Sequence, residues 1–122
     1  MFRNVLIASV VCFLVFISFL MTYAGQSMPV EIKAEFSQYP GSEVINTMAQ
    51  GERVQVMLHC VGASPDDVYE YYMAEVEQRG WEVLMNLKAG VHQVMFAKDG
   101  KEASIVITSE DNETYAVLSI TK

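Results

Sequence analysis

The chain has 122 residues, of which 8 are Lys or Arg and 15 are Asp or Glu, for a formal charge of −7; 52% of it is apolar. This arithmetic excludes a multidomain enzyme, a low-complexity or collagen-like chain and a polytopic membrane protein. It also argues against a nucleic-acid binder, because residues 25–122 carry 7 basic and 15 acidic side chains where phosphate contacts need the reverse.

The apolar residues are unevenly spread. Residues 5–24 contain 17 apolar residues in 20 and no charge, and as a helix they would reach roughly 30 Å, about the thickness of a bilayer's hydrocarbon core. Val5, Leu6, Phe13, Phe16, Phe19 and Leu20 would face lipid, and Tyr23 would sit at the interface as an aromatic anchor. Two readings stay open, a cleaved signal peptide over residues 1–24 and an uncleaved signal-anchor. The thin basic region (Arg3), the long apolar run and the modest cleavage site Thr22-Tyr23-Ala24 favour the anchor. Arg3 precedes the run and the next cation is Lys33, so the positive-inside rule places the N-terminus in the cytoplasm and the remainder outside. The expectation is a single-pass protein of a bacterial inner membrane with a periplasmic domain, or a secreted periplasmic protein if the segment is removed. Val10-Val11 before Cys12 lacks the small residue of a lipidation signal. Cys60 is the one cysteine beyond the run, so no internal disulfide forms in the domain.

Residues 25–37 read as a tether followed by an edge strand, since Val30, Ile32, Ala34 and Phe36 alternate with Glu31, Lys33 and Glu35. Residues 38–122 read as one domain. Pro40-Gly41 makes a turn, residues 43–48 a short strand, and residues 53–61 the strongest strand. In that strand Val54, Val56, Leu58 and Cys60 share one face and Arg53, Gln55, Met57 and His59 the other. Ser64 caps a helix that opens with Pro65, Asp66 and Asp67 and buries Val68, Tyr72 and Val76. Gly80 ends it, and Trp81 folds back on Val76. A meander follows over residues 81–87, 91–98, 101–109 and 114–121, with Asp99-Gly100 as a two-residue hairpin turn. The predicted fold class is α+β, one helix packed on an antiparallel sheet of five or six strands.

Pro40-Gly41-Ser42, Ser64-Pro65-Asp66-Asp67-Val68, Tyr71-Tyr72 and Gly80-Trp81 together resemble small exported bacterial α+β domains of unknown function. These run as a strand, a helix opening near S-P-x-x-V with a tyrosine in its second turn, a Gly-Trp helix end and a β-meander. The resemblance covers roughly residues 38–121 and implies a fold; it implies no catalytic residues.

The chemistry-bearing residues are few. His59 and His92 belong to no nucleophile motif, no G-x-S-x-G elbow or phosphate loop is present, and Asp66 and Asp67 are accounted for as helix-cap residues. Met57 and His59 share a strand face and would suit Cu(I), but His59 and Cys60 point to opposite faces and no spacing concentrates ligands. The expectation is therefore no enzyme, no cofactor and no metal site. The face bearing Arg53, Gln55, Met57 and His59 is the candidate partner-binding surface, because Met57 is apolar where the sheet should be wet. A gap around Tyr71, Tyr72 and Trp81 would be the pocket of a competing reading, a small-molecule or copper carrier. The function expected is a non-enzymatic, membrane-tethered interaction module, an accessory subunit of a membrane or envelope complex.

Overall fold

The computed structural model describes residues 27–121. The expected anchor, residues 5–24, lies outside them. No helix among the described residues is long and apolar enough to cross a membrane. The elements are α1 (Val30–Lys33), β1 (Glu43–Gln50), β2 (Arg53–Cys60), α2 (Pro65–Gln78), β3 (Glu82–Ala89), β4 (Val91–Lys98), β5 (Lys101–Glu110) and β6 (Glu113–Thr121). Six antiparallel strands form one sheet in the order β1-β2-β6-β5-β4-β3, with α2 on one face, a two-layer α+β fold.

Residues 30–36 depart from the strand expected there. The chain turns a short helix instead, with the Pro29 carbonyl accepting from the Ile32 and Lys33 N–H groups at 3.1 and 2.9 Å and the Ile32 carbonyl accepting from the Phe36 N–H at 2.7 Å. The spacing that decides is Met28, Ile32 and Phe36, all buried, which recur every four residues and so share a helical face. Val30, assigned inward by the alternation, is 73% exposed.

The ends of α2 follow the chemistry of its terminal residues. The Ser64 hydroxyl accepts from the Asp67 N–H at 3.1 Å, and the Asp67 carboxylate accepts from the Ser64 N–H at 3.4 Å, a reciprocal capping box. At the other end the Trp81 N–H donates to the Val76 carbonyl at 3.0 Å and the Gly80 N–H to that of Glu77 at 3.3 Å. This double closure requires Gly80 in the left-handed region, at φ +79°.

Topology follows from the connection that α2 makes. The chain leaves β2, crosses on α2 to the far edge at β3, and the meander β3-β4-β5-β6 brings it back to pair β6 with β2. The face beneath α2 carries Val56, Leu58 and Cys60 from β2, Ala116, Leu118 and Ile120 from β6, and Ala103, Ile105 and Ile107 from β5, all buried as the strand alternation predicts. Val68, Tyr72 and Val76 close the layer from the helix side. Phe36 stacks on Trp81 at 5.4 Å and meets Phe96 at 6.2 Å, so α1 completes one end of the same core.

The segment after α1 is fastened by polar contacts. The Ser37 N–H donates to the Glu75 carboxylate at 2.8 Å and the Tyr72 hydroxyl to the Ser37 carbonyl at 2.9 Å. Glu35 accepts from Lys101 at 2.8 Å and faces Lys98 at 3.6 Å. The hydrogen bond from Lys101 holds the Glu35 carboxyl below its ordinary value, against a smaller opposing effect of burial.

Candidate interaction surface

Tyr71, Tyr72 and Trp81 sit at the helix–sheet layer. Tyr72 and Trp81 are buried within the hydrophobic core, and Tyr71 packs edge-on to both Tyr72 and Tyr39 with ring centroids 5.1 Å apart. Burial pushes the Tyr72 hydroxyl's pKa up. The Lys98 ammonium stands 5.6 Å from the Trp81 ring, a cation–π contact at the core's rim. A groove of about 460 Å³ lies elsewhere, at the β1 edge, between residues 27–31 and the β1–β2 hairpin, with Met28, Met48 and Val54 in its walls.

His59 and Cys60 lie on opposite faces of β2, as their adjacency requires. His59 Nε2 is 2.7 Å from the Glu113 carboxylate and its ring stacks on Tyr115 with centroids 5.0 Å apart. Cys60 is buried under α2, and the loss of solvation pushes its thiol up to about 12, so it remains protonated and unreactive at neutral pH. Among the described residues no three His, Cys, Asp or Glu side chains converge as a metal site would require.

A second polar cluster escaped the sequence reading. His92 lies on the helix side of β4 rather than on a solvated face: its ring stacks on Tyr69 of α2 at 3.8 Å, and Nε2 donates to the Asn86 side-chain carbonyl at 2.8 Å. The Asn86 amide in turn donates to the Tyr69 hydroxyl at 2.8 Å, and Lys88 pairs with Asp66 at 3.3 Å beside them. Burial, with Lys88 adding to it, lowers the His92 pKa. The side chains satisfy one another and pin the start of α2 to β3 and β4. The cluster was hidden because a bulge between Val83 and Met85 changes which face later β3 residues occupy, bringing Asn86 and Lys88 to the helix side.

The same bulge shapes the outer face. Cross-strand register places Asn46, Met57, Val117, Val106, Gln93 and Leu87 in one row across all six strands. The neighbouring row runs Met48, Gln55, Ser119, Ser104, Met95 and Met85. None of these twelve side chains is charged. Charge is confined to the flanking rows, with Arg53, Glu102 and Glu82 on one side and Glu43 with His59 on the other. The expected surface thus divides: Gln55 and Met57 belong to the uncharged band, while Arg53 and His59 belong to its two borders. Met57 is 3% exposed, not open to solvent as the alternation suggested, and Asn46 beside it is buried with a side-chain carbonyl oxygen that has no partner. Toward the strand edges the band opens, and Met48, Met85 and Leu87 are exposed.

A START domain-like family model matches residues 42–114, more than half of the chain. The chain belongs to the START domain-like family. The match runs from the turn before β1 to the start of β6, taking in the whole of α2 and most of the sheet, with every member of the outer-face band except Val117 and Ser119. The resemblance to small domains of unknown function agrees with this family at the level of the fold. Comparison with curated proteins and with solved structures returns no match.

Proposed function

We propose that this START domain-like chain is a non-enzymatic interaction module, tethered by residues 5–24 to a bacterial inner membrane, with its domain in the periplasm, and serving a membrane or envelope complex as an accessory subunit. The observation that carries the reading is the uncharged band on the outer face of the sheet. In an acidic chain, twelve consecutive cross-strand positions without a charge, ending in exposed Met48, Met85 and Leu87, have the make-up of a docking surface. The polar clusters lend no comparable support to catalysis. His59 is paired with Glu113, His92 is held by Asn86 and Tyr69, and Cys60 is a buried thiol, so among the described residues none of these three is an activated nucleophile beside a free base.

The tether is tested by extracting the natively expressed protein and measuring its intact mass after an alkaline wash of the membranes. A mass near 13.7 kDa in the washed membrane fraction supports it. A lighter protein lacking residues 1–24, found free in the envelope fraction, would remove the tether and leave a soluble periplasmic module.

A further inference from the structure

The two edges of the sheet differ. β1 is flanked by residues 27–31, which form a groove with Thr47, Met48 and Ala49. β3, at the other end of the strand order, has no strand beyond it, and all eight of its residues are exposed. Four of the seven large apolar side chains exposed among the described residues, Val83, Leu84, Met85 and Leu87, belong to this one strand. A long apolar edge without proline, with a row of free N–H and C=O groups, is a template for another strand. Charge and bulges are the usual guards of such an edge. Here Glu82 and the bulge between Val83 and Met85 guard one half of β3. From Met85 to Ala89 the register with β4 is regular, and the one charge, Lys88, already pairs with Asp66 at 3.3 Å.

The unguarded half is self-complementary. Pairing within one sheet sets outer-face residues opposite outer-face residues, so a two-fold axis normal to the sheet must pass through a residue, and Leu87 is the centre of the regular run. About that axis Leu87 meets Leu87 of the second copy, Met85 meets Ala89 and Asn86 meets Lys88. No like charges stand opposite one another, although the chain as a whole carries −7. Leu84 then faces Gly90 of the second copy, where an added side chain would meet nothing within 4 Å. On the outer face the uncharged row from Asn46 to Leu87 runs on into the same row of the second copy.

We propose that β3 pairs antiparallel with β3 of a second copy of this chain, centred on Leu87, to give one continuous twelve-stranded sheet with both α2 helices on the same side. The inference goes beyond the docking reading of the outer face and stands on β3 alone. Five paired residues span ~17 Å, well short of the ~800 Å² per partner of a standard interface. The dimer is therefore reversible, and main-chain hydrogen bonds fix its register.

Disulfide trapping tests it in the purified full chain, in mild detergent, with Cys12→Ser as background and Cys60 buried. A cysteine on the axis faces its own copy, so Leu87→Cys under mild oxidation should form an interchain bond at least tenfold faster than Val30→Cys. The control position is the more exposed of the two, at 73% against 51%. Register is read independently by mixing Met85→Cys with Ala89→Cys chains, which should join each other at least tenfold faster than either joins itself. Equal rates in either comparison overturn the inference. So does a Leu87→Cys chain that is inert alone but bonds to a companion protein in native membranes, because a foreign strand would then own the edge. If the bond forms fast yet Leu87→Lys recovers its companion as well as the unaltered chain does, the dimer stands and the docking reading fails. If companion recovery falls with Leu87→Lys but no fast bond forms, the docking reading stands and the dimer fails.

Discussion

Asn46 and Met57 are cross-strand partners on the sheet face opposite α2, and both are buried. A single helix on a six-stranded sheet needs only one dry face, so a second buried pair marks where this domain departs from a simple two-layer design. Met57 also lies outside the main hydrophobic core. Its environment depends on neighbours in the band. Met57→Ala is accordingly expected to cost about 2 kcal/mol, read from the midpoint of urea unfolding, whereas Leu87→Lys at the open end of the band should change stability by no more than about 0.5 kcal/mol.

The helical turn at α1 has a direct test. Ile32 is fully buried and Val30 is exposed, so Ile32→Ala should destabilise the domain by about 3 kcal/mol and Val30→Ala by less than about 0.5 kcal/mol. Comparable losses at both positions in thermal unfolding would instead fit the alternating strand.

Each end of α2 depends on one small residue. Ser64→Ala removes the acceptor for the Asp67 N–H and should cost about 1 kcal/mol. Gly80→Ala meets no neighbouring atom, yet it places a side chain at φ +79°, and should cost roughly 1–2 kcal/mol through backbone strain alone. Chemical unfolding of the two variants gives both values.

Acid should weaken the fold in two stages with the same sign. His92 in the folded chain lies below its ordinary 6.5, chiefly through burial, and Glu35 lies below 4.5, chiefly through the Lys101 hydrogen bond. In each case the unfolded chain binds the proton more readily, so the contribution is complete above the ordinary value and is lost as pH falls through the folded one. Urea midpoints should therefore decline below 6.5 and again below 4.5, and Glu35→Gln should flatten the second decline while leaving the first. An unchanged second decline would show that Glu35 has no part in it.

Much of this fold is legible in the residues themselves. The period-two alternation in β2, β5 and β6 identifies the buried face, and Ser64, Asp67 and Gly80 fix both ends of α2 through local hydrogen bonds that need no tertiary context. Three features are not legible. Residues 30–36 satisfy both periods, and only the packing of Ile32 and Phe36 against the sheet selects the helix. The bulge in β3 inserts a single residue, which brings Asn86 and Lys88 to the helix side and hides their cluster with Tyr69 and His92. The uncharged band is a property of six strands in register, and its members span residues 46–119, so no window of sequence displays it. Met57 shows the difference: its strand alone marks it as apolar on the wet face, while its neighbours explain why it is buried.

The central claim is that the outer sheet face is where this domain meets its partner, and co-purification from native membranes tests it most directly. Full-length protein and the Leu87→Lys variant should be expressed equally, unfold at the same temperature, and be isolated under the same mild detergent. The account predicts a stoichiometric companion protein with the unaltered chain and at least a tenfold loss of that companion with Leu87→Lys. Equal recovery from both, with the variant folded, would contradict it and move the interaction away from this face.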